Sequence, residues 1–103
     1  MIYLDNAATT KVAPEVYEAM NPYFEEYYGN AASVYRFAGE SKKAVEDARK
    51  EVADFLGANP NEIYFTGGGS ESDNCALKGI AFSQIKKGKH FITSAIEHHA
   101  ILH

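Results

Sequence analysis

Residues 63–74 read IYFTGGGSESDN, and the fold class that we predict rests on this stretch. The apolar residues before Thr66 predict a strand, and the three glycines after it predict a tight loop. A helix is predicted from Ser70 to about Lys86, and a second strand over residues 90–93. The order strand, glycine loop, helix, strand is typical of an α/β fold with a parallel sheet and right-handed crossovers.

The position of the glycine loop, directly before a helix, predicts an anion site. Free N–H groups and the positive end of the helix dipole attract phosphate, and Ser70 adds a hydroxyl donor. The loop is not a Walker A loop, because no Gly-Lys-Ser/Thr follows, nor a dinucleotide fingerprint, because Ser72 stands where that fingerprint needs a small glycine-like residue. A simpler interpretation stays open: Ser70 and Asp73 form a capping box and the glycines only a turn.

The N-terminal half is predicted to be helical. Pro14 suits the first turn of a helix, and Pro22 interrupts it, so we expect two short helical pieces before Gly29. Residues 33–56 are predicted as one long helix with Gly57 as its C-terminal cap. The apolar faces of this helix and of the later one need more sheet than two strands provide, so the sequence looks like part of a larger domain.

The composition is that of an ordinary soluble domain. The chain has 103 residues, 46% of them hydrophobic and 23% charged, with a formal net charge of −4. The sequence has no block of like charge that would indicate nucleic-acid binding, and its apolar runs are all shorter than the roughly 18 residues of a membrane span. The N-terminus lacks a secretory leader, and the single Cys75 cannot form an internal disulfide, so we expect a cytoplasmic location.

The histidines and the cysteine are further candidates for chemistry. His99 and His103 have the i, i+4 spacing of two metal ligands, but a third ligand is missing, so no metal site is predicted and surface histidines are the alternative. His98 comes just after a predicted parallel strand, where α/β folds place ligands, and we expect its neighbour His99 to point the other way. We interpret Cys75 as a packing residue rather than a nucleophile, because no basic neighbour favours its thiolate.

Four segments together resemble the NifS/IscS-type cysteine desulfurases of the class V aminotransferase group. They read YLDNAATT at residues 3–10, YGNAAS at 28–33, IYFTGGGSESDN at 63–74 and ITSAIEHHAIL at 92–102. Their order and spacing match end to end, which is far more specific than any one motif.

The resemblance implies the N-terminal part of the large domain of a pyridoxal-phosphate (PLP) transferase of fold type I, like aspartate aminotransferase. An N-terminal arm and helices would occupy about residues 1–57. The incomplete start of the PLP-binding α/β domain would occupy about residues 58–103. Gly69 and Ser70 align with the pair that binds the cofactor phosphate, and His98 aligns with the histidine that stacks on the PLP ring and handles protons.

Ala8, Thr9 and Asn30 fall near the family's substrate side. The sequence departs from the family pattern at Ala31, where a proline is usual, and at Tyr35, where a histidine is frequent. The loop itself carries Gly-Ser where Ala-Thr is common, and the serine keeps the hydroxyl.

The activity implied is cysteine desulfuration, in which L-cysteine gives alanine and an enzyme persulfide for iron–sulfur cluster or related cofactor assembly. The family implies a homodimer that passes sulfur to acceptor or scaffold proteins. Its cofactor-binding lysine, the aspartate partner of the pyridine nitrogen and the nucleophilic cysteine align beyond residue 103, so residues 1–103 alone are expected to be inactive. The alternatives are a selenocysteine lyase or another class V enzyme, or a non-enzymatic remnant that binds phosphate or the parent enzyme.

Overall fold

The computed structural model describes residues 2–102, which form two compact units that meet in the chain between Ile63 and Tyr64. The first unit contains helices α1 (Pro14–Met20), α2 (Pro22–Glu25) and α3 (Gly39–Leu56). It also contains 3-10 turns at Arg36–Ala38 and Pro60–Glu62. The second unit contains α4 (Gly69–Ser83) and α5 (His99–Leu102).

The two short helices begin at prolines. Pro14 opens α1, and the residue before it, Ala13, is extended with φ −64° and ψ 142°, as a residue preceding proline prefers. Pro22 opens α2 directly after Asn21, so the predicted interruption of the helix is confirmed.

The long helix α3 ends where the sequence predicts and begins later. Gly57 has φ +67°, the left-handed conformation that suits glycine at a helix end, so the predicted cap is confirmed. The predicted start near residue 33 is wrong, because Asn30 organises a turn there instead. Its side-chain oxygen accepts the Ala32 N–H at 2.9 Å and its carbonyl accepts the Ser33 N–H at 2.9 Å, which competes with helix formation.

The start of α3 packs on the chain that follows α2. The Ser41 hydroxyl donates to the Tyr27 carbonyl at 2.5 Å, and Ser41 is buried. Gly29 approaches the same region so closely that a Cβ there would lie 2.9 Å from the Phe37 carbonyl oxygen and 3.0 Å from the Ala38 Cα. A larger residue at position 29 would therefore push this backbone apart.

The end of the first unit is attached to α3. Arg49 donates to the Ile63 carbonyl, and Ala53 on the same helix is fully buried. The turn before Ile63 is closed by Glu62, whose carboxylate accepts the Asn59 backbone N–H at 2.7 Å and the Asn59 side-chain amide at 3.0 Å. These two donors hold the pKa of Glu62 below its ordinary value.

The secondary-structure elements described in the second unit are the helices α4 and α5. α4 and α5 contact each other, and a pocket of about 330 Å³ lies between α4, residues 91–93 and Ile101. No strand is assigned within residues 2–102, so the structure does not show the predicted strands at 62–65 and 90–93 or the α/β class that they implied. A strand is defined by hydrogen bonds to a neighbouring strand, so its formation depends on residues distant in the sequence.

Most large apolar side chains of residues 2–102 are exposed. Ala38 and Ala53 are the buried apolar residues of this described part, whereas Phe55 on α3 is 88% exposed and Ile92 is 91% exposed. Apolar surface of this extent favours association with other apolar surface.

The left-handed turn at Gly57 gives a prediction about α3. Gly57→Ala should destabilise the helix end by about 1 kcal/mol, because alanine is strained at positive φ. Gly39→Ala is the matched control, since position 39 has helical torsions and open space for a Cβ, and it should leave stability unchanged or raise it. Thermal melts followed by circular dichroism at 222 nm measure both; equal effects of the two substitutions would contradict the assignment.

The exposed apolar faces predict the solution behaviour of the 103-residue polypeptide. It should form oligomers or bind a hydrophobic dye such as ANS, and its thermal transition should be broad. Light scattering, dye fluorescence and calorimetry test this expectation. A compact monomer with one sharp, cooperative transition would show that the polypeptide covers its own apolar surface.

Candidate functional site

The glycine loop ends at the first turn of α4, with Gly68 as the residue before the helix. The first backbone bond of the helix runs from the Ser72 N–H to the Gly68 carbonyl at 3.1 Å. The N–H groups of Gly69, Ser70 and Glu71 precede that bond, so the helix itself offers them no acceptor. They lie at the positive end of the helix dipole, where an anion is favoured.

Side chains other than the predicted pair close this loop. The Ser70–Asp73 capping box is not formed: Ser70 contacts the helix through its carbonyl, which accepts the Asn74 side-chain amide at 2.9 Å. Glu71 takes the capping role instead, because its carboxylate accepts the Gly67 N–H at 2.6 Å. Sequence reasoning missed Glu71, and the one available signal was an acidic residue in the first turn, four positions after a glycine.

Two hydroxyl groups complete the loop. Thr66, which is half-buried, donates from its hydroxyl to the Gly68 carbonyl at 3.1 Å, and the same hydroxyl oxygen lies 2.6 Å from the Ser72 hydroxyl. These bonds join Thr66 before the loop to Ser72 after it and to Gly68 within it, and so hold the shape of the loop. Neither Thr66 nor Ser72 was predicted as a site residue.

The loop and its helix have a donor set that fits a phosphate group. Ser70 is exposed, so its hydroxyl is accessible together with the first N–H groups of the helix. A Cβ built at Gly68 or Gly69 would meet no atom within 4 Å, so there is open space over this part of the loop. Backbone donors, a hydroxyl and open space together suit the phosphate of a cofactor.

His98 lies immediately before α5 and caps it. Its Nδ1 accepts the Ala100 backbone N–H at 3.1 Å, which requires an unprotonated Nδ1 and places the proton of the neutral imidazole on Nε2. The His98 and His99 ring centroids are 6.2 Å apart with the planes at 63°, so the two rings are neighbours and the structure does not show the opposite orientation expected of His99. His98 shares the second unit with Gly69 and Ser70.

The residues predicted for the substrate side lie in turns of the first unit. The Ala8 N–H donates to the Asp5 carbonyl at 3.1 Å, and Thr9 follows in the same turn. Asn30 forms the turn described above, in which its side-chain oxygen accepts a backbone N–H. Ala8, Thr9 and Asn30 are all exposed within their own unit.

Among residues 2–102, no three His, Cys, Asp or Glu side chains come together as metal ligands. His103, whose i, i+4 spacing from His99 does not by itself predict a metal site, lies outside the described residues. Cys75 on α4 is exposed, with no disulfide, so the structure does not show the packing role expected of it. None of the helices described in residues 2–102 has both the length and the apolar character needed to cross a membrane.

The sequence is similar to proteins named cysteine desulfurase. It is 61% identical over 102 residues to "Cysteine desulfurase IscS" of Methanosarcina thermophila, covering 99% of this chain and 25% of that protein. Its identity to the protein of the same name from Clostridium botulinum is 57%, over 99% of this chain and 26% of that protein. The chain thus spans about a quarter of the length of these curated relatives.

Two solved structures share its backbone course. A NifS-like protein superposes with a TM-score of 0.88 and 42% identity, over 98% of this chain and 28% of that one. A structure named "SspA in complex with cysteine" has a TM-score of 0.85 and 44% identity, over 97% of this chain and 29% of that one.

The family model described as Aminotransferase class-V matches residues 2–103. The glycine loop, His98 and the turns at Ala8 and Asn30 all lie within the matched range. By this match, the chain belongs to the class-V aminotransferase family.

Proposed function

We propose that this chain forms part of a PLP-dependent cysteine desulfurase, which converts L-cysteine to alanine and an enzyme-bound persulfide. The observation that supports this most strongly is the 61% identity to a cysteine desulfurase over 99% of the chain. The structure named as a complex with cysteine, at 44% identity, supports cysteine as the substrate class. The persulfide sulfur would pass to acceptor or scaffold proteins for iron–sulfur cluster or related cofactor assembly.

The proposal includes the setting of the enzyme. It is a cytoplasmic homodimer with an N-terminal arm and helices over about residues 1–57 and a PLP-binding α/β domain that starts at about residue 58. In that domain, residues 62–65 and 90–93 become strands when neighbouring strands pair with them.

Gly69 and Ser70 would hold the cofactor phosphate. Their N–H groups lie in the first turn of α4, and the Ser70 hydroxyl adds a third donor, so the negative charge meets both hydrogen bonds and the helix dipole. When bound, PLP would act as the electron sink, taking up the electrons released when a bond to a carbon atom of the substrate breaks. The protein's own contribution is to bind, orient and exchange protons.

His98 would lie against the cofactor ring and handle a proton. The bond from Ala100 to Nδ1 holds the imidazole plane, and Nε2 is the atom that carries the proton of the neutral ring. Ala8, Thr9 and Asn30 would line the substrate side. All three residues are exposed within their own unit.

The proposed activity predicts a product ratio. The full-length enzyme that carries this segment, incubated with PLP, L-cysteine and a thiol reductant, should form alanine and sulfide in equal amounts. The 103-residue polypeptide alone should give no sulfide above a control with PLP and no protein. Release of selenide from selenocysteine with no reaction of cysteine would instead identify a selenocysteine lyase, and saturable sulfide production by the polypeptide would contradict the assignment of roles beyond residue 103.

The adjacent histidines allow a matched test of the proton-transfer role. In the full-length enzyme, His98→Ala should lower turnover by about 10²-fold, the usual effect of losing a positioned acid–base group, while the visible absorbance of the cofactor stays. His99→Ala should change turnover by less than about threefold, as expected for a residue without a transition-state contact. Alanine formation at saturating cysteine measures both variants. Low turnover in His99→Ala instead of His98→Ala would move the proton-transfer role to His99. Near-wild-type turnover in both variants would contradict this role for either histidine.

A further inference from the structure

Three side chains that the proposed function does not use hold the glycine loop. Glu71 accepts the Gly67 N–H at 2.6 Å, and Thr66 donates to the Gly68 carbonyl at 3.1 Å. Because the single hydroxyl proton of Thr66 is engaged in that bond, the 2.6 Å contact with Ser72 is a bond that Ser72 donates. We call Thr66, Glu71 and Ser72 the loop clamp.

The loop clamp bonds backbone groups of the loop before the helix and leaves the N–H groups of the first helical turn to a ligand. Glu71 accepts from Gly67 and Thr66 donates to Gly68, while Ser72 bonds the Thr66 hydroxyl. The N–H groups of Gly69 and Ser70 come after these and belong to the first turn of α4. The clamp therefore fixes the approach to this turn without occupying the donors that a phosphate needs.

The bond to Gly67 also determines where the Glu71 charge lies. An acidic residue in the first turn of a helix is attracted to the same free N–H groups as a phosphate. With its carboxylate on the Gly67 N–H, Glu71 is held at a group outside the helix. It therefore does not compete for the donors of Gly69 and Ser70.

We infer that Glu71 is a positioning residue for cofactor binding, which fixes the glycine loop before the phosphate arrives. The inference rests on the proposed function, since it concerns the affinity of the site for PLP. Two effects of Glu71 oppose each other: its charge repels a phosphate, and its bond orders the loop in advance. Glu71 is exposed, so water screens the repulsion, whereas the conformational freedom of a glycine-rich loop is large. Preorganisation therefore exceeds repulsion, and removing the side chain weakens binding.

The test measures PLP binding to the full-length apoenzyme by absorbance titration. Glu71→Ala should raise the Kd for PLP about tenfold, the size expected for one lost ordering hydrogen bond to a charged group. Glu71→Gln should stay within about threefold of wild type, because the amide oxygen still accepts the Gly67 N–H.

Two further variants separate the bond from the charge. Asp73→Ala removes another carboxylate near the start of α4, one for which no hydrogen bond is found in the described residues, and should change the Kd by less than about twofold. Gly67→Ala keeps Glu71 but places a Cβ 3.1 Å from its carboxylate oxygen, so it should weaken PLP binding by roughly threefold or more through the same bond. This variant decides the matter if Glu71→Ala does not fold.

A readout other than affinity separates positioning from general damage. At saturating PLP, Glu71→Ala should recover a kcat within about twofold of wild type, since the loop is then ordered by the ligand. The ³¹P resonance of the bound phosphate should match that of the wild-type enzyme. Wild-type PLP affinity in Glu71→Ala, equally weak binding by the Gln and Ala variants, or a kcat that stays low at saturation would each overturn the inference. Failure of the wild-type apoenzyme to bind PLP would overturn the proposed function itself.

Discussion

Proline or glycine sets one end of each of the helices α1 to α4, and the glycine before α4 sets the position of Ser70. Pro14 and Pro22 open α1 and α2, Gly57 closes α3, and Gly68 precedes α4. Helix ends carry backbone groups without intrahelical partners, which makes them the parts of a helix that can bind. Ser70 lies in the first turn of α4 and His98 directly before α5, so both main candidates lie at such an end.

Local interactions hold the helices of this chain, because little apolar surface is buried. Surface ion pairs such as Lys43 with Asp47 at 2.6 Å join residues one turn apart on a helix, and because both side chains are exposed their contribution to stability is small. Burial of one large apolar side chain contributes about 1.5–3 kcal/mol, and residues such as Phe55 and Ile92 leave most of that contribution unrealised within residues 2–102. The patterned apolar faces of α3 and α4 are therefore the part of the structure whose stability depends most on further contacts.

The difference between local interactions and contacts with distant residues explains which elements the sequence predicts correctly. Pro22 and Gly57 act through the torsions of their own backbone, so their effects can be recognised from a single position. The strands expected at 62–65 and 90–93 depend on partners elsewhere in a sheet, which no local pattern supplies. The start of α3 lies between these cases: Asn30 is a recognisable turn former, yet the helical spacing that follows hides the turn that it makes.

The candidate site shows the same limit at the level of side chains. The glycine loop and Ser70 could be identified from the sequence, because glycines before a helix have a direct backbone consequence. Which carboxylate closes the loop could not, since Glu71 and Asp73 both stand within reach of the helix start. Which of the two carboxylates bonds the loop depends on side-chain rotamers. In the structure it is that of Glu71, which accepts the Gly67 N–H at 2.6 Å.

The Nδ1 bond of His98 places a condition on any proton that this residue transfers. To exchange a proton at Nε2 between the neutral and charged forms, the ring must carry a hydrogen on Nδ1, which cannot then accept the Ala100 N–H. Losing one such neutral hydrogen bond costs about 0.5–1.5 kcal/mol, equivalent to roughly a tenfold change at most. A positioned acid–base group contributes about 10²–10⁴-fold, so the cost is smaller than the gain. The proton transfer proposed for His98 is therefore compatible with its capping bond to Ala100.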